Sequence, residues 1–213
     1  MKRPLLLSLF LALACAGCST LRQHSGMIPE WTTNYHRVIT EDDRVRLRDW
    51  HQTFQAALSA ARKSGHGAAI DREGALLDPD AAQAGQPIPN GIYSCRVIKL
   101  GAKEPGNLDF VTFPGFNCRV KAEQDLQRLA KRDGAQRYVG IVFPDDALRK
   151  VFLGTLVLAD EQRALQYGQD KLRDVAGYVE RIGPNRWRLV MPKPHFESQL
   201  DVMELLPISQ ERR

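Results

Sequence analysis

Two hydrophobic periods divide the chain. Between residues 41 and 64, Leu47, Trp50, Phe54, Ala57, Leu58 and Ala61 recur at steps of three and four. That spacing lays one apolar stripe along an amphipathic helix. Thr40 is placed to cap it, with Asp43 three residues on as an acidic variant of the capping box. Glu41, Asp42 and Asp43 set negative charge at the positive end of the helix dipole, and Gly65 ends the helix. A second short helix is predicted over residues 68–77, stopped by Asp78-Pro79, and Pro87 and Pro89 close the helical part.

From Gly91 the period is two. Phe116, Cys118 and Val120 alternate with Asn117, Arg119 and Lys121; Trp187, Leu189 and Met191 alternate with Arg186, Arg188 and Val190; Val175, Gly177 and Val179 alternate with Ala176, Tyr178 and Glu180. Similar strands are predicted at 92–100, 138–143, 151–158 and 200–206. Pro105-Gly106, Pro114-Gly115, Pro144-Asp145-Asp146 and Gly183-Pro184-Asn185 supply turns between them. Residues 122–132 are ambiguous, because Leu126, Leu129 and Ala130 also fit helical spacing. Asp133-Gly134 favours a hairpin that pairs 125–131 with 135–142. The predicted fold class is mainly β with an N-terminal helix (α+β). Its sheet is an antiparallel meander of about eight strands that closes into a curled sheet or an up-and-down barrel, because a meander of that size must hide its edges.

The start of the chain has a different character. Lys2 and Arg3 precede an apolar run from residue 5 to residue 16, broken only by Ser8. Its length suits the apolar region of a secretory leader and is too short to span a bilayer. Ala14-Cys15-Ala16 fits ordinary signal cleavage, which would release a soluble secreted protein. Cys15-Ala16-Gly17-Cys18-Ser19 looks like a bacterial lipobox, with Cys15 where Leu is usual, and points to lipidation of Cys18. Several acyl chains on Cys18 would anchor the protein stably, at about 0.8 kcal/mol per buried CH₂. The expected organisation is a lipoprotein signal peptide at 1–17, a tether at 18–39, a helical segment at 40–86, a β domain at 87–208 and a tail at 209–213. Trp31 and Tyr35 are placed to dock the end of the tether. The expected location is the periplasmic face of the bacterial envelope. Ser19, where Asp would resemble an inner-membrane retention signal, favours the outer membrane.

The whole chain has 213 residues, with 30 Lys+Arg and 25 Asp+Glu, a net charge of +5. Losing Lys2 and Arg3 with the leader makes this balance still more even, which argues against a nucleic-acid partner. After processing, Cys95 and Cys118 are the remaining cysteines. Each lies within a predicted strand and the word Cys-Arg-Val, in an oxidising compartment. A structural disulfide is expected rather than a redox dithiol, which would need Cys-x-x-Cys at a helix N-terminus.

Leu76-Leu77-Asp78-Pro79, Gly91-Ile92-Tyr93-Ser94-Cys95-Arg96, Phe116-Asn117-Cys118-Arg119-Val120, Val151-Phe152-Leu153-Gly154, Asp174-Val175-Ala176-Gly177 and Phe196-Glu197-Ser198-Gln199-Leu200-Asp201-Val202 carry a resemblance. From about Asp43 to Pro207 the chain resembles the domain-of-unknown-function family 4893 of proteobacterial envelope proteins. The resemblance implies an exported, mostly β domain and no particular activity.

The sequence is poor in catalytic signatures. Histidines stand at 24, 36, 51, 66 and 195 without His-x-x-x-His spacing. There is no nucleophile elbow, P-loop or dinucleotide fingerprint, so no metal or cofactor is expected. Glu180, Arg181, Arg188, His195, Glu197, Asp201 and Glu204 form the densest polar cluster. Two of these carboxylates with the histidine would suit acid–base work if they converged in a pocket; the favoured alternative is a salt-bridge network at a barrel mouth or solvated strand faces. Arg96 and Arg119 could together receive a carboxylate or phosphate, or simply be exposed strand arginines. Gly140, Gly154 and Gly177 suggest bends or bulges, and Trp187 a core aromatic. The leading expectation is a lipid-anchored, non-catalytic β-barrel-like module that binds an envelope protein or a small amphiphile or plays a structural part. The alternatives are a periplasmic hydrolase using Glu180, Glu197 or Asp201, and an inhibitor of an envelope enzyme. The latter follows an outline likeness to small disulfide-bridged lipoprotein barrels that inhibit lysozyme.

Overall fold

The alternating segments fold into nine strands in a computed structural model that describes residues 26–208. The expected leader, the expected lipidation site at Cys18, the start of the expected tether and the expected tail at 209–213 lie outside the described residues. The strands are β1 (Gly91–Ala102), β2 (Phe110–Thr112), β3 (Phe116–Glu123), β4 (Leu126–Lys131), β5 (Gln136–Pro144), β6 (Arg149–Leu158), β7 (Asp174–Gly183), β8 (Arg186–Pro192) and β9 (Ser198–Pro207). From β3 to β9 each strand pairs antiparallel with the next, and β1 pairs with both β3 and β9. Eight strands therefore close into a barrel. The segment at 122–132 is strand, and Leu129 faces Gly140 across the hairpin. β2 is an addition that the residue pattern did not show. It takes over the free edge of β1 at Ile98 and Leu100, beyond the point where β3 leaves it.

The alternation sets which side chains face the lumen. Cys118, Val120, Val175, Val179, Trp187, Leu189 and Met191 all join one interior cluster. The Cys95–Cys118 disulfide lies within it and joins β1 to β3 with Cα atoms 6.0 Å apart. One end of the lumen is plugged by Ile88. Gln127 Nε2 donates to the Ile88 carbonyl at 2.9 Å, and Tyr93 Oη donates to the Pro89 carbonyl at 2.5 Å. Trp187 is a core aromatic, packed edge-on against Tyr93.

Gly140 and Gly154 stand directly opposite each other on β5 and β6, in unbroken register. A Cβ on Gly154 would lie 2.3 Å from the Val139 carbonyl oxygen and 2.8 Å from Cζ of Phe152. These glycines therefore clear space for a close backbone approach and a lumenal ring; of the bends or bulges expected there, neither position is a bulge. The one irregularity between β7 and β8 falls at Arg181/Gly183.

The outer wall is not simply solvated. The helix predicted over 41–64 is two helices, α1 (Glu41–Arg48) and α2 (Trp50–Ala61), because Asp49 leaves helical geometry at ψ 9°. That break lets α1 lie on β7 while α2 lies on β1, β8 and β9. Thr40 caps α1, its side chain accepting from Asp43 N–H. Gly65, at φ +92°, turns the chain into α3 (Gly67–Glu73), which a single 3₁₀ turn at Gly74–Leu76 follows. Phe54, Ala57, Ala61, Ile70 and Leu76 cover the outward side chains Ile98, Leu100, Val190, Leu200 and Val202.

A second outer patch, with Ile141, Phe143, Val151 and Leu153, is covered by Met27, Ile28, Val38, Ile39 and Leu47. The part of the expected tether inside the described residues is thus a strap docked on the barrel. Met27 and Ile28 are buried, Trp31 and Tyr35 pack against the same cluster, and Tyr167 N–H donates to the Met27 carbonyl. Its apolar residues follow no period, so spacing gave no sign of burial. Among the described residues no helix is long and apolar enough to cross a membrane.

Candidate functional site

The polar residues singled out from the sequence go to separate places. Arg149, Glu180, Arg188, Glu204 and Arg96 stand directly opposite one another along β6, β7, β8, β9 and β1. They form a belt of alternating charge on the outer wall. Glu180 receives Arg149 at 2.7 Å and Arg188 at 2.7 Å. Glu204 receives Arg96 at 2.5 Å and Arg186 at 2.6 Å, and Glu73 of α3 engages Arg96. Arg188 also donates to the carbonyls of Ala75, Leu76, Asp78 and Pro79, where the helical segment ends. Trp50 and Phe54 lie over the Arg149 and Arg188 guanidiniums. The belt ties neighbouring strands to one another, and through Arg96–Glu73 and the Arg188 carbonyl contacts it fastens the helical segment to the barrel.

Arg119 is exposed on β3 and is not brought beside Arg96, whose guanidinium is already held by two glutamates. Arg181 sits near the plugged end and donates to the Ala84 carbonyl. Glu197 and Asp201 lie at the opposite, open end. Of the three candidate acid–base carboxylates, Glu180 lies on the outer wall, whereas Glu197 and Asp201 come together at the mouth on either side of Lys99. Among the described residues no cluster of His, Cys, Asp and Glu is arranged to hold a metal ion.

At the mouth, β9 places Asp201 inward, in phase with the lumenal Met203 and Leu205. Tyr138 Oη, from β5, donates to Asp201 Oδ2 at 2.8 Å, and Ser198 Oγ donates to Oδ1 at 2.5 Å. Lys99 Nζ lies 3.8 Å from Asp201, 2.6 Å from Glu197 Oε2 and 3.4 Å from Gln136 Oε1. Burial raises the Asp201 carboxyl above its usual range, opposed by Lys99 and the two hydroxyl donors. Burial also raises the Tyr138 phenol, with the Asp201 charge adding to the effect. This network forms a polar floor.

The segment at 193–197 crosses the mouth between β8 and β9. It is held in uncommon backbone geometry, with φ +47° at Lys193 and +65° at Glu197. Arg46 of α1 reaches His195 Nε2 at 2.8 Å, and burial together with Arg46 lowers the imidazole pKa. The Arg46 contact thereby holds the ring in place.

Above the floor lies an open cavity of about 490 Å³. Its walls include Val97, Phe113, Phe116 and Tyr138, and its polar groups include Lys99, Gln136, Lys131 and Glu197. A volume of this order, mostly apolar with a few convergent polar groups, suits a small ligand. Lys131 Nζ stands 4.0 Å from the Phe116 ring centroid, and burial lowers the pKa of its ammonium.

Sequence reasoning missed Lys99, Lys131, Phe113 and Tyr138 as a group. The signal for two of them was present in strand phase. Lys99 is in step with Tyr93, Cys95 and Val97, and Lys131 with Leu129, so both belong to the lumenal face.

No curated protein and no solved structure matches the chain. A family model described as "Domain of unknown function (DUF4893)" matches residues 35–205, which span both the helical segment and the barrel, and the chain therefore belongs to that family.

Proposed function

We propose that this protein is an exported, lipid-anchored, non-catalytic module that binds a small amphiphile in the mouth of its barrel. The observation that carries the binding reading is the apolar cavity of about 490 Å³ at the open end of the lumen. Prior engagement of the candidate carboxylates supports a binding role over hydrolysis: two arginines hold Glu180 on the outer wall, Lys99 pairs with Glu197, and Tyr138 and Ser198 donate to Asp201. Export and anchoring rest on the leader and the lipobox-like Cys15-Ala16-Gly17-Cys18. The outer membrane is favoured over the inner by Ser19.

Two measurements test this. Radiolabelled palmitate is expected to enter the wild type but not Cys18→Ala; equal labelling of both would remove the anchor. The neutral probe N-phenyl-1-naphthylamine is expected to fluoresce with the wild type, and Ala135→Trp, at the exposed rim of the cavity, to quench that signal. A probe signal that Ala135→Trp leaves untouched would place binding elsewhere and defeat the reading.

A further inference from the structure

Two lysines face the mouth cavity, and their surroundings differ. Lys99 is engaged by Glu197 and lies near Asp201. Lys131 forms no ion pair with a carboxylate among the described residues; its close contact is the face of Phe116. Asp133, also on the cavity wall, is exposed at the turn after β4 and pulls on Lys131 only as a secondary influence. A half-buried ammonium has lost part of its hydration, and no protein carboxylate replaces it. Beside it the cavity presents Val97, Phe113 and Phe116, with Phe113 itself 41% exposed at the rim. The mouth thus sets one uncommitted positive charge against an apolar wall that opens to solvent.

Resting on the amphiphile-binding reading above, we propose that the occupant is a single-chain amphiphile with a carboxylate head. The head pairs with Lys131 Nζ, and the chain lies along Val97, Phe113 and Phe116. A cationic head would meet Lys131 and find Glu197 already engaged by Lys99, which leaves only the solvent-exposed Asp133 of the turn to receive it, a weaker partner than one in the half-buried interior.

The test uses the full chain as its unacylated Cys18→Ala variant, so that no detergent competes for the cavity. Isothermal titration compares dodecanoate, dodecyltrimethylammonium and acetate. Dodecanoate is expected to bind at least about tenfold more tightly than the cation of equal chain length, the scale of one charge-assisted hydrogen bond. Acetate, which lacks the chain, is expected not to bind measurably. In Lys131→Met the two twelve-carbon probes are expected to bind with equal affinity, with circular dichroism checking that the barrel is still folded. Equal affinity for both twelve-carbon probes, a preference for the cation, or an anion preference retained in Lys131→Met would overturn the carboxylate assignment alone. Failure of the neutral probe as well would overturn the amphiphile reading beneath it.

Discussion

Arg188 and Glu180 face each other across β8 and β7, with Nε 2.7 Å from Oε2 and neither side chain reaching solvent. A buried pair of this kind is costly to break, because the surviving partner is left as an unpaired charge in a dry place. Arg188 has more to lose than one carboxylate, since it also satisfies four carbonyls at the end of the helical segment. Arg188→Met is expected to destabilise the fold by about 3–5 kcal/mol in urea unfolding. Arg188→Lys should recover only part of this, because an ammonium cannot reproduce the planar fork. Full stability in the lysine variant would show that charge alone is required.

Gly154→Ala tests the close approach inside the barrel. The new methyl would meet the Val139 carbonyl and the Gly140 Cα, 2.7 Å away, and neither is the end of a flexible side chain. The expected loss is about 1–3 kcal/mol, the usual range for overpacking a filled core. Phe152→Leu in the same background relieves the contact with the ring but not those with the backbone, so it should restore stability only partly. A silent Gly154→Ala would mean that β5 and β6 do not approach this closely.

Asp174, at the start of β7, gives a pH-dependent prediction. Its Oδ1 accepts from Gly168 N–H at 2.9 Å, while Oδ2 is buried with no hydrogen-bond partner. Burial, above all, raises its pKa to about 6. The folded state therefore holds this proton more tightly than the unfolded chain, whose aspartates titrate near 4. The stabilising contribution is complete below pH ~4 and is lost as pH rises through ~6, amounting to about 3 kcal/mol. Asp174→Asn keeps an acceptor for Gly168 and removes the titration. Compared with the wild type by urea unfolding, it should be the more stable protein at pH 7.5 and should lose that advantage at pH 4. An advantage that grew on acidification would reverse the assigned sign.

The Cys95–Cys118 bond closes a segment of 23 residues within the lumen. Replacing both cysteines by serine should cost about 3 kcal/mol on the chain-entropy model. Reducing and non-reducing electrophoresis should give different mobilities for the wild type, and Cys95→Ser should erase the difference. Two titratable thiols in the unreduced, unfolded protein would contradict the bridge.

Much of the barrel was legible because its lumenal face is apolar at every second position and its turns carry Gly, Pro and Asp. The disulfide followed from the same phase. What stayed hidden was the second burial, on the outside. Val190, Leu200 and Val202 fall at positions that a one-sided sheet would leave to solvent, and Arg188, Glu180 and Glu204 read there as a salt-bridge network at the barrel mouth or as solvated strand faces. They are buried instead, because α2 and the segment after α3 lie over them. Strand phase says which side of the wall a residue occupies; it does not say whether another element covers that side. The cavity was equally obscure, since Lys99 and Lys131 look like common surface lysines until the end of the barrel at which they lie is known.

The ring closes only where β9, the last strand, zips onto β1, the first. The sequence separation is nearly the whole β domain, so the chain forfeits loop entropy long before that seam rewards it. During synthesis the helices and the docked strap emerge first, yet much of the wall that shelters their apolar stripe is made of β8 and β9. A nascent or truncated molecule lacking residues 186–207 would expose a helical face and two unzipped sheet edges together, which is a recipe for aggregation. The terminal strand thus acts as the latch for the whole assembly, and its loss should be far more damaging than ten missing residues would suggest.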